Sequence, residues 1–372
     1  MDADLSEPAI TRFDDNGDLR LILQDRTSKE KEVFIVSSKA MSLACDAWNS
    51  MLNGSFRESQ KPCSGHREIE LPDDDPEALA IILNIAHLRF NSVPKTIEFS
   101  LLKKVTILTD KYDATHLLVP WYSGWLASVG PGPDRPKSEL HPVFDHWPNI
   151  VSGPAKLKWS PEHNLEDWLW ILWELGQEER FESLALSLVK TVRVGPAGEC
   201  LTASGRTLDP SSDLQHIPPD IIESIMEVRE KTVSAILEVL HDILDTYIQP
   251  NGFRQALCCH GSPHVTEEQL DCDSMTIGSL YQWLRGAGLD TQRMDSSSSS
   301  ATNMSINDLS AKFETVKTRR YAGHGSCLNS GISGISDGLR EDLSYLVQNI
   351  PSPLRQIHRS HLQRQAKKLR PS

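Results

Sequence analysis

The chain of 372 residues lacks any apolar run that approaches the length of a membrane span, and its first residues lack the basic-then-apolar order of a secretory signal. It is also poor in positive charge, because 38 Lys and Arg stand against 51 Asp and Glu, for a net charge of −13. This charge argues against a global role in binding nucleic acid or anionic membranes. Seven cysteines, an odd and unevenly spread set, argue for a reducing compartment. We therefore expect an intracellular protein, in the nucleus or cytoplasm, with proteins as its partners.

Motifs of the common catalytic classes are missing too. The sequence contains no G-x-x-x-x-G-K-[ST] phosphate loop, no H-E-x-x-H, no G-x-S-x-G elbow and no G-x-G-x-x-G after a strand. The glycine-rich stretch 323–334 has neither the spacing nor the preceding strand of a nucleotide-binding loop. The sequence therefore predicts a protein that is not an enzyme.

Near the start of the chain, two short segments have the composition of strands. Leu19, Leu21 and Leu23 recur with period two, which is typical of a strand with one buried face. Residues 33–36 form the run VFIV, which favours a second strand buried on both faces. The polar segment 25–30 between them suits a hairpin connection.

Short helices and one more strand are predicted next. Ser37 and Ser38 can cap a helix, and Asp46 can cap another that stops at Asn53 and Gly54. The apolar face expected for the first helix is Ala40, Met41, Leu43 and Ala44.

A third strand at Ile69 and Leu71 leads into a helix with a strong start signal. Asp75 occupies its N-cap position and Pro76 its first helical position, where a missing N–H loses no hydrogen bond. Two further helices are expected near residues 101–112 and 114–129.

Three segments in this order, VSSKAMSL, FRES and EIELPDDDPEA, give residues 17–129 a pattern that resembles a BTB/POZ domain. The resemblance implies an α+β fold of short strands with a cluster of helices, and a protein-interaction module without chemistry of its own. Such modules self-associate or dock other proteins, and some act as substrate adaptors of cullin-type ubiquitin ligases. Only a polar tail, residues 1–16, precedes the domain, so we do not expect the swapped dimer of long-form members.

The remaining chain is predicted to be a linker followed by helices. Residues 130–164 are rich in Pro and Gly, and residues 165–372 form a mostly α-helical C-terminal region with polar loops near 195–216 and 291–305. The predicted helices are 165–176, 178–194, 218–248, 306–319 and 353–369. The third has an apolar stripe that Arg229 interrupts, which favours packing within a helical domain over a coiled-coil seam. The last is basic, which favours a solvated helix face, with a nuclear-targeting signal or a site for an acidic partner as the alternative.

One cluster has the chemistry of a metal site. We predict a structural zinc held by Cys258, Cys272, His324 and Cys327, with Cys259 as the alternative to Cys258, because thiolate and imidazole are the ligands of tetrahedral zinc. A helix predicted over 275–284 would begin just after Cys272 and favour its thiolate. Fungal-type BTB/POZ proteins have a similar arrangement. Unrelated thiols near ordinary histidines are the competing interpretation.

These observations predict a protein-interaction protein that self-associates or docks a partner such as a cullin. A transcriptional or chromatin scaffold with a zinc-stabilised C-terminal region is the first alternative. A metal-dependent enzyme that uses Cys272, His324 and Cys327 is the second.

Overall fold

The computed structural model describes residues 8–24, 31–56, 59, 67–129, 167–211, 216–248, 258, 265–289, 300–319, 321–322 and 335–370. Over these residues the fold is mixed α+β, as predicted, with helices dominant. The chain forms two compact units. Unit 1 comprises Met1–Leu184, His216–Pro218 and Gln356–Ser372, and unit 2 comprises Ala185–Gln215 and Pro219–Arg355. The predicted linker 130–164 lies outside the described residues.

A four-stranded sheet forms the base of unit 1. Its strands are β1 (Ala9–Arg12), β2 (Leu19–Gln24), β3 (Lys31–Val36) and β4 (Arg67–Leu71). Their order is β1-β3-β2-β4, with β2 antiparallel to β3 and the two outer pairings parallel. The alternating leucines of β2 are fully buried and all four residues 33–36 are buried, which confirms both strand predictions.

β1 is a correction to the sequence analysis, which assigned residues 9–12 to a polar tail. All four side chains of this strand are exposed, so it has no apolar face from which a strand could be predicted. Its main chain nevertheless pairs with β3 from Ala9 to Arg12, and Phe13 just after it is buried.

The helices of unit 1 follow some of the predicted start signals, with two corrections. They are α1 (Ser38–Ala44), α2 (Asp46–Asn53), α3 (Pro76–Ala86), α4 (Phe99–Lys111), α5 (Tyr122–Val129), α6 (Asp167–Glu174), α7 (Glu178–Thr191, which ends in unit 2) and, further along the chain, α13 (Gln356–Lys368). Ser37 caps α1 and Asp75 caps α3, each through its side-chain oxygen. Trp168 and its neighbours on α6 are buried, as expected for a core helix.

The two corrections concern α2 and α5. Asp46 is the first residue of its helix and does not cap it, because Cys45 occupies the N-cap position without a side-chain hydrogen bond. The helix predicted over 114–129 is divided into a 3-10 turn, Thr115–Leu118, and an α-helix that begins at Tyr122.

Unit 2 is mainly helical. It contains the short strands β5 (Arg193–Val194) and β6 (Cys200–Leu201) and the helices α8 (Ile221–Ile248), α9 (Glu267–Ala287), α10 (Ser300–Asn303), α11 (Ile306–Glu314) and α12 (Ile335–Gln348). β6 lies within the predicted polar loop 195–216. Within the described part of the chain, no helix has the length and apolarity needed to cross a membrane.

Arg229, the interruption in the stripe of α8, is buried rather than solvated. Its guanidinium donates to the main-chain oxygens of Val192 at 3.1 Å, of Thr302 at 2.6 Å and of Met304. Buried polar groups need such partners, and a planar guanidinium can serve several at once. The charged position therefore joins three segments of unit 2, which agrees with packing in a helical domain.

Candidate interaction surface

The turn after α3 carries the most unusual backbone conformation of unit 1. The N–H of Leu88 donates to Ile85 O at 3.1 Å and the N–H of Arg89 to Asn84 O at 2.8 Å. These two bonds form the Schellman ending of a helix, which requires a left-handed residue and usually places glycine there. Here that residue is Leu88, with φ at +60°. A bulky side chain in this region costs about 1–2 kcal/mol relative to glycine.

Leu88 gains nothing from the fold in return for this strain. Its side chain is 74% exposed, so no core contact offsets the left-handed backbone. Strained positions that the fold does not need are found preferentially at functional sites. The combination of strain and exposure at one leucine therefore marks the surface around it as a candidate for binding.

One more half-exposed apolar side chain belongs to this turn. It is Phe90, whose ring centroid lies 5.8 Å from that of Trp121. Arg89 joins the turn to β1, since its guanidinium donates to Arg12 O at 2.5 Å. We refer to Leu88 and Phe90 as the Leu88 surface. Neighbouring exposed apolar side chains are typical of protein-interaction sites.

His87 fixes this turn from the inside. The N–H of Ser37 donates to its Nε2 at 2.9 Å, so Nδ1 carries the proton and donates to Leu83 O at 2.8 Å. Burial lowers the pKa of His87, which keeps the ring neutral and both bonds in place. The end of α3 and the start of α1 are thereby held together.

β1 adds an exposed backbone edge beside the Leu88 surface. β1 and β4 are the two edge strands of the sheet, and β1 pairs with β3 alone among the described strands. Unpaired N–H and C=O groups of an edge strand are a template for a strand from another chain. The edge and the apolar side chains together suit a protein partner.

Leu43 is a second exposed leucine in unit 1 and corrects a prediction. The sequence analysis placed it with Met41 on one buried face of α1, but Met41 is fully buried and Leu43 is 75% exposed. Residues two apart on a helix point to nearly opposite sides, so the two could not share a face. Phe56, beyond the end of α2, is exposed as well.

The C-terminal helix α13 forms a separate contact within unit 1, against α6 and the 3-10 turn Thr115–Leu118. Gly176, with φ at +59°, lies against this helix so closely that a Cβ there would come within 2.3 Å of Ala366 N. The imidazole of His361 stacks on Trp173 with ring centroids 3.8 Å apart. Close packing of two backbones therefore depends on a glycine, which the sequence analysis placed at the end of the helix 165–176.

At the bottom of this contact lies a buried carboxyl group. Glu174 is fully buried and accepts hydrogen bonds from Thr109 at 3.1 Å, from Thr115, and from Gln365 of α13 at 2.6 Å. Desolvation raises the pKa of Glu174 to about 8, and the negative charge of Asp110 acts in the same direction. A carboxyl group with this pKa is mostly protonated at pH 7, and its O–H can donate to a threonine hydroxyl.

Ion pairs complete the α13 contact at its rim. Arg359 donates to Glu178 at 2.8 Å and to Glu182 at 2.6 Å, and Lys368 pairs with Asp113. We refer to the acidic side of this contact, Asp113, Glu174, Glu178 and Glu182, together with Gly176, as the α13 groove. The sequence analysis assigned the basic residues of this helix to a solvated face, but Arg359 and Lys368 form ion pairs that hold the helix in place.

The predicted zinc ligands are only partly within the described residues. Cys258 and Cys272 are both buried, whereas Cys259, His324 and Cys327 lie outside them. Across the described ranges, no group of three or more His, Cys, Asp or Glu side chains is arranged to hold a metal ion. Two buried thiols fit the donor chemistry of zinc, but the geometry of a full site stays a prediction.

The expected position of Cys272 before a helix is wrong. α9 begins at Glu267, where Thr266 and Gln269 form a capping box, so Cys272 lies in its second turn and gains little from the helix N-terminus. The chain returns to α9 at Arg319, whose O accepts from Thr276 at 3.2 Å and whose N–H donates to Ser279 at 2.8 Å. Arg319 precedes the predicted ligand His324 by five residues.

Comparison with known proteins gives no match to a protein-family model, to a curated protein or to a solved structure. The BTB/POZ resemblance of residues 17–129 therefore stays a prediction.

Proposed function

We propose that the chain is a protein-interaction protein whose unit 1 is a BTB/POZ-type module, and that it associates with a second copy through the Leu88 surface. The observation that carries this proposal is the left-handed, 74% exposed Leu88 at a helix end that glycine would suit better. Leu88 destabilises the fold and is exposed, and a contact with another protein chain explains why a leucine stands at this position.

A second copy is the partner that two independent arguments favour. The edge strand β1 lies beside the Leu88 surface, and an identical edge from another copy can pair with it around a two-fold axis. The BTB/POZ resemblance implies self-association as well. A cullin, for which the chain would act as a substrate adaptor, is the second partner that the resemblance implies.

The mechanism is burial of complementary apolar surface and pairing of strand edges, without bond chemistry. In this proposal the protein works inside the cell, in the nucleus or the cytoplasm, and any zinc has a structural role. The acidic net charge and the use of Arg359 and Lys368 in ion pairs within unit 1 favour this function over a nucleic-acid scaffold.

Leu88→Gly tests the proposal because it separates folding from association. Glycine relieves the left-handed strain, so the free energy of unfolding should rise by about 1 kcal/mol. The same change removes an apolar contact, so dimers should dissociate at higher protein concentration. Urea unfolding and sedimentation of the full chain measure the two effects.

Leu43→Ala is the matched control, because Leu43 is equally exposed but lies in a right-handed helix. It should leave association unchanged. If Leu43→Ala weakens association and Leu88→Gly does not, the contact lies on α1 instead. Chains that stay monomeric but bind an N-terminal cullin fragment saturably would replace self-association by the adaptor role.

A further inference from the structure

The main chain of β1 has two sides, one that faces β3 and one on the outer edge of the sheet. The N–H of Phe13, directly after β1, donates to Ile35 O of β3 at 2.8 Å. A trans peptide directs the C=O of one residue opposite to the N–H of the next, so the C=O of Arg12 points away from β3. Since these directions alternate along a strand, the main-chain groups of Ile10 and Arg12 lie on the outer edge.

One of the groups on this outer edge already has a partner within the chain. The guanidinium of Arg89 donates to Arg12 O at 2.5 Å. The N–H and C=O of Ile10 and the N–H of Arg12 have no hydrogen-bond partner among the described residues. A strand that approaches β1 can therefore use these three groups, whereas a donor aimed at Arg12 O would compete with Arg89.

The proline directly before β1 matches this restriction. Pro8 is exposed and has no N–H, and its C=O points to the outer edge because the N–H of Ala9 points to β3. A second copy that runs antiparallel to β1, with Ile10 opposite Ile10, places its Pro8 opposite Arg12. The N–H of Arg12 then donates to the C=O of that proline. The occupied Arg12 O lies opposite a residue that has no N–H to donate.

Other registers fit less well. Moving the two-fold axis to Thr11 would direct the N–H of Ile10 at the occupied Arg12 O in both copies. Moving it to Arg12 would place like charges directly opposite each other, which is destabilising. Moving it to Ala9 would leave the C=O of Ile10 opposite Pro8, which cannot donate. With the axis at Ile10, in contrast, two half-exposed apolar side chains meet across the strands.

We propose that the partner of the β1 edge is a second copy of the chain, paired antiparallel with Ile10 opposite Ile10, and that Pro8 and Arg89 select this register. This contact rests on the proposed self-association and is the part of it that β1 makes. Two strands paired in this way form four hydrogen bonds, two between the Ile10 residues and two from Arg12 to Pro8. The two four-stranded sheets become one sheet of eight strands.

Disulfide trapping with two single variants tests the register. In this register Ala9 of one copy lies opposite Thr11 of the other, in a pair without mutual hydrogen bonds whose Cα atoms lie about 4.5 Å apart. A disulfide fits this distance. Full-length Ala9→Cys and Thr11→Cys chains are mixed in equal amounts, oxidised mildly and analysed by peptide mapping with mass spectrometry. The disulfide that joins one variant to the other should be the main product at these two positions.

The products that would overturn this proposal are distinct from those that would overturn the proposed function. Disulfides that join mainly Thr11→Cys to itself would contradict the register, because only an axis at Thr11 brings these positions together. A wild type that dimerises in sedimentation, with no disulfide trapped at β1, would overturn the strand pairing and leave the Leu88 surface as the contact. Pro8 and Arg89 would then protect the edge from pairing. A chain that stays monomeric and forms no such disulfide would overturn both.

Ile10→Pro gives a second test, because it removes an N–H that the pairing of β1 with β3 does not use. Proline is tolerated in an edge strand where its position faces outward, so urea unfolding should match that of Ile10→Ala. The proline variant loses both bonds between the Ile10 residues, so its dimer dissociation constant should rise by about tenfold or more. Ile10→Ala keeps the N–H and is the matched control, with a smaller rise. Equal dissociation constants for the two variants would contradict strand pairing at Ile10.

Discussion

Gln365 donates its side-chain N–H to Oε2 of Glu174 at 2.6 Å, and this bond joins two residues that lie 191 positions apart in the chain. It ties the C-terminal helix to the core of unit 1. Because burial raises the pKa of Glu174 to about 8, the stability of unit 1 also depends on pH.

Glu174→Gln should remove most of that pH dependence. The unfolded chain releases the Glu174 proton near its ordinary pKa of 4.5, whereas the folded chain retains it up to about pH 8. The stability of the wild type should therefore fall as pH rises from about 5 to 8, by up to about 1.4 kcal/mol per pH unit. Glutamine cannot ionise and matches the neutral carboxyl group in size, with an N–H donor where that group has its O–H. Urea unfolding across this range measures the difference.

Glu179→Gln is the control for this change, because Glu179 is an exposed carboxylate five residues further along the chain, on α7. It should follow the wild-type pH profile. A Glu174→Gln variant that also follows the wild-type profile would contradict a neutral Glu174.

Gly176→Ala should loosen α13 selectively. Alanine at φ +59° costs about 1–2 kcal/mol in backbone strain, and its Cβ would also overlap Ala366 N. Hydrogen exchange of the amides in 356–368 should therefore become faster than in the wild type. Gly288→Ala is the matched control. Gly288 also has a left-handed backbone, with φ at +69°, but no atom lies within 4 Å of the added Cβ, so this substitution adds backbone strain and no steric overlap. It should leave exchange in α13 unchanged, and equal effects of the two substitutions would argue against the close contact.

Arg229→Met should destabilise unit 2 strongly. The substitution removes the guanidinium's hydrogen bonds to the carbonyl oxygens of Val192, Thr302 and Met304, and the loss of a buried group's partner costs about 1–3 kcal/mol. We expect a loss of about 3 kcal/mol or more in the free energy of unfolding. Lys231→Met removes an exposed cation from the same helix and should change it by less than about 0.5 kcal/mol. Equal losses in the free energy of unfolding of the two variants would show that the hydrogen bonds of Arg229 do not stabilise unit 2.

Zinc content tests the predicted metal site. We expect about one zinc per chain after purification under reducing conditions, and Cys272→Ser should remove it because serine is a poor zinc ligand. Cys45→Ser alters a buried thiol of unit 1 outside the predicted set and should retain the metal. Wild-type protein without zinc, or Cys272→Ser with zinc, would rule out this ligand set.

Local signals in the sequence predicted much of unit 1. The alternating leucines of β2 and the Asp75–Pro76 start of α3 are signals between residues that lie close together in the chain. The structure confirms both. Thr266 and Gln269 offered a similar signal for the start of α9, which the sequence analysis missed. α12 was not predicted either.

Other features could not be predicted from local patterns. β1 is fixed by its pairing with β3 and has no apolar face of its own. The docking of α13 depends on partners far away in the chain, so its basic residues looked like a solvated face. The strain at Leu88 follows from the two hydrogen bonds that end α3, which composition does not show.

The most direct test of self-association is the mass of the full chain by sedimentation as protein concentration increases, for the wild type, Leu88→Asp and Leu43→Asp. Our account predicts that the wild type and Leu43→Asp rise from 41.6 kDa towards twice that mass, while Leu88→Asp stays nearer the monomer. Three identical curves, or a wild type that stays at 41.6 kDa throughout, would contradict it.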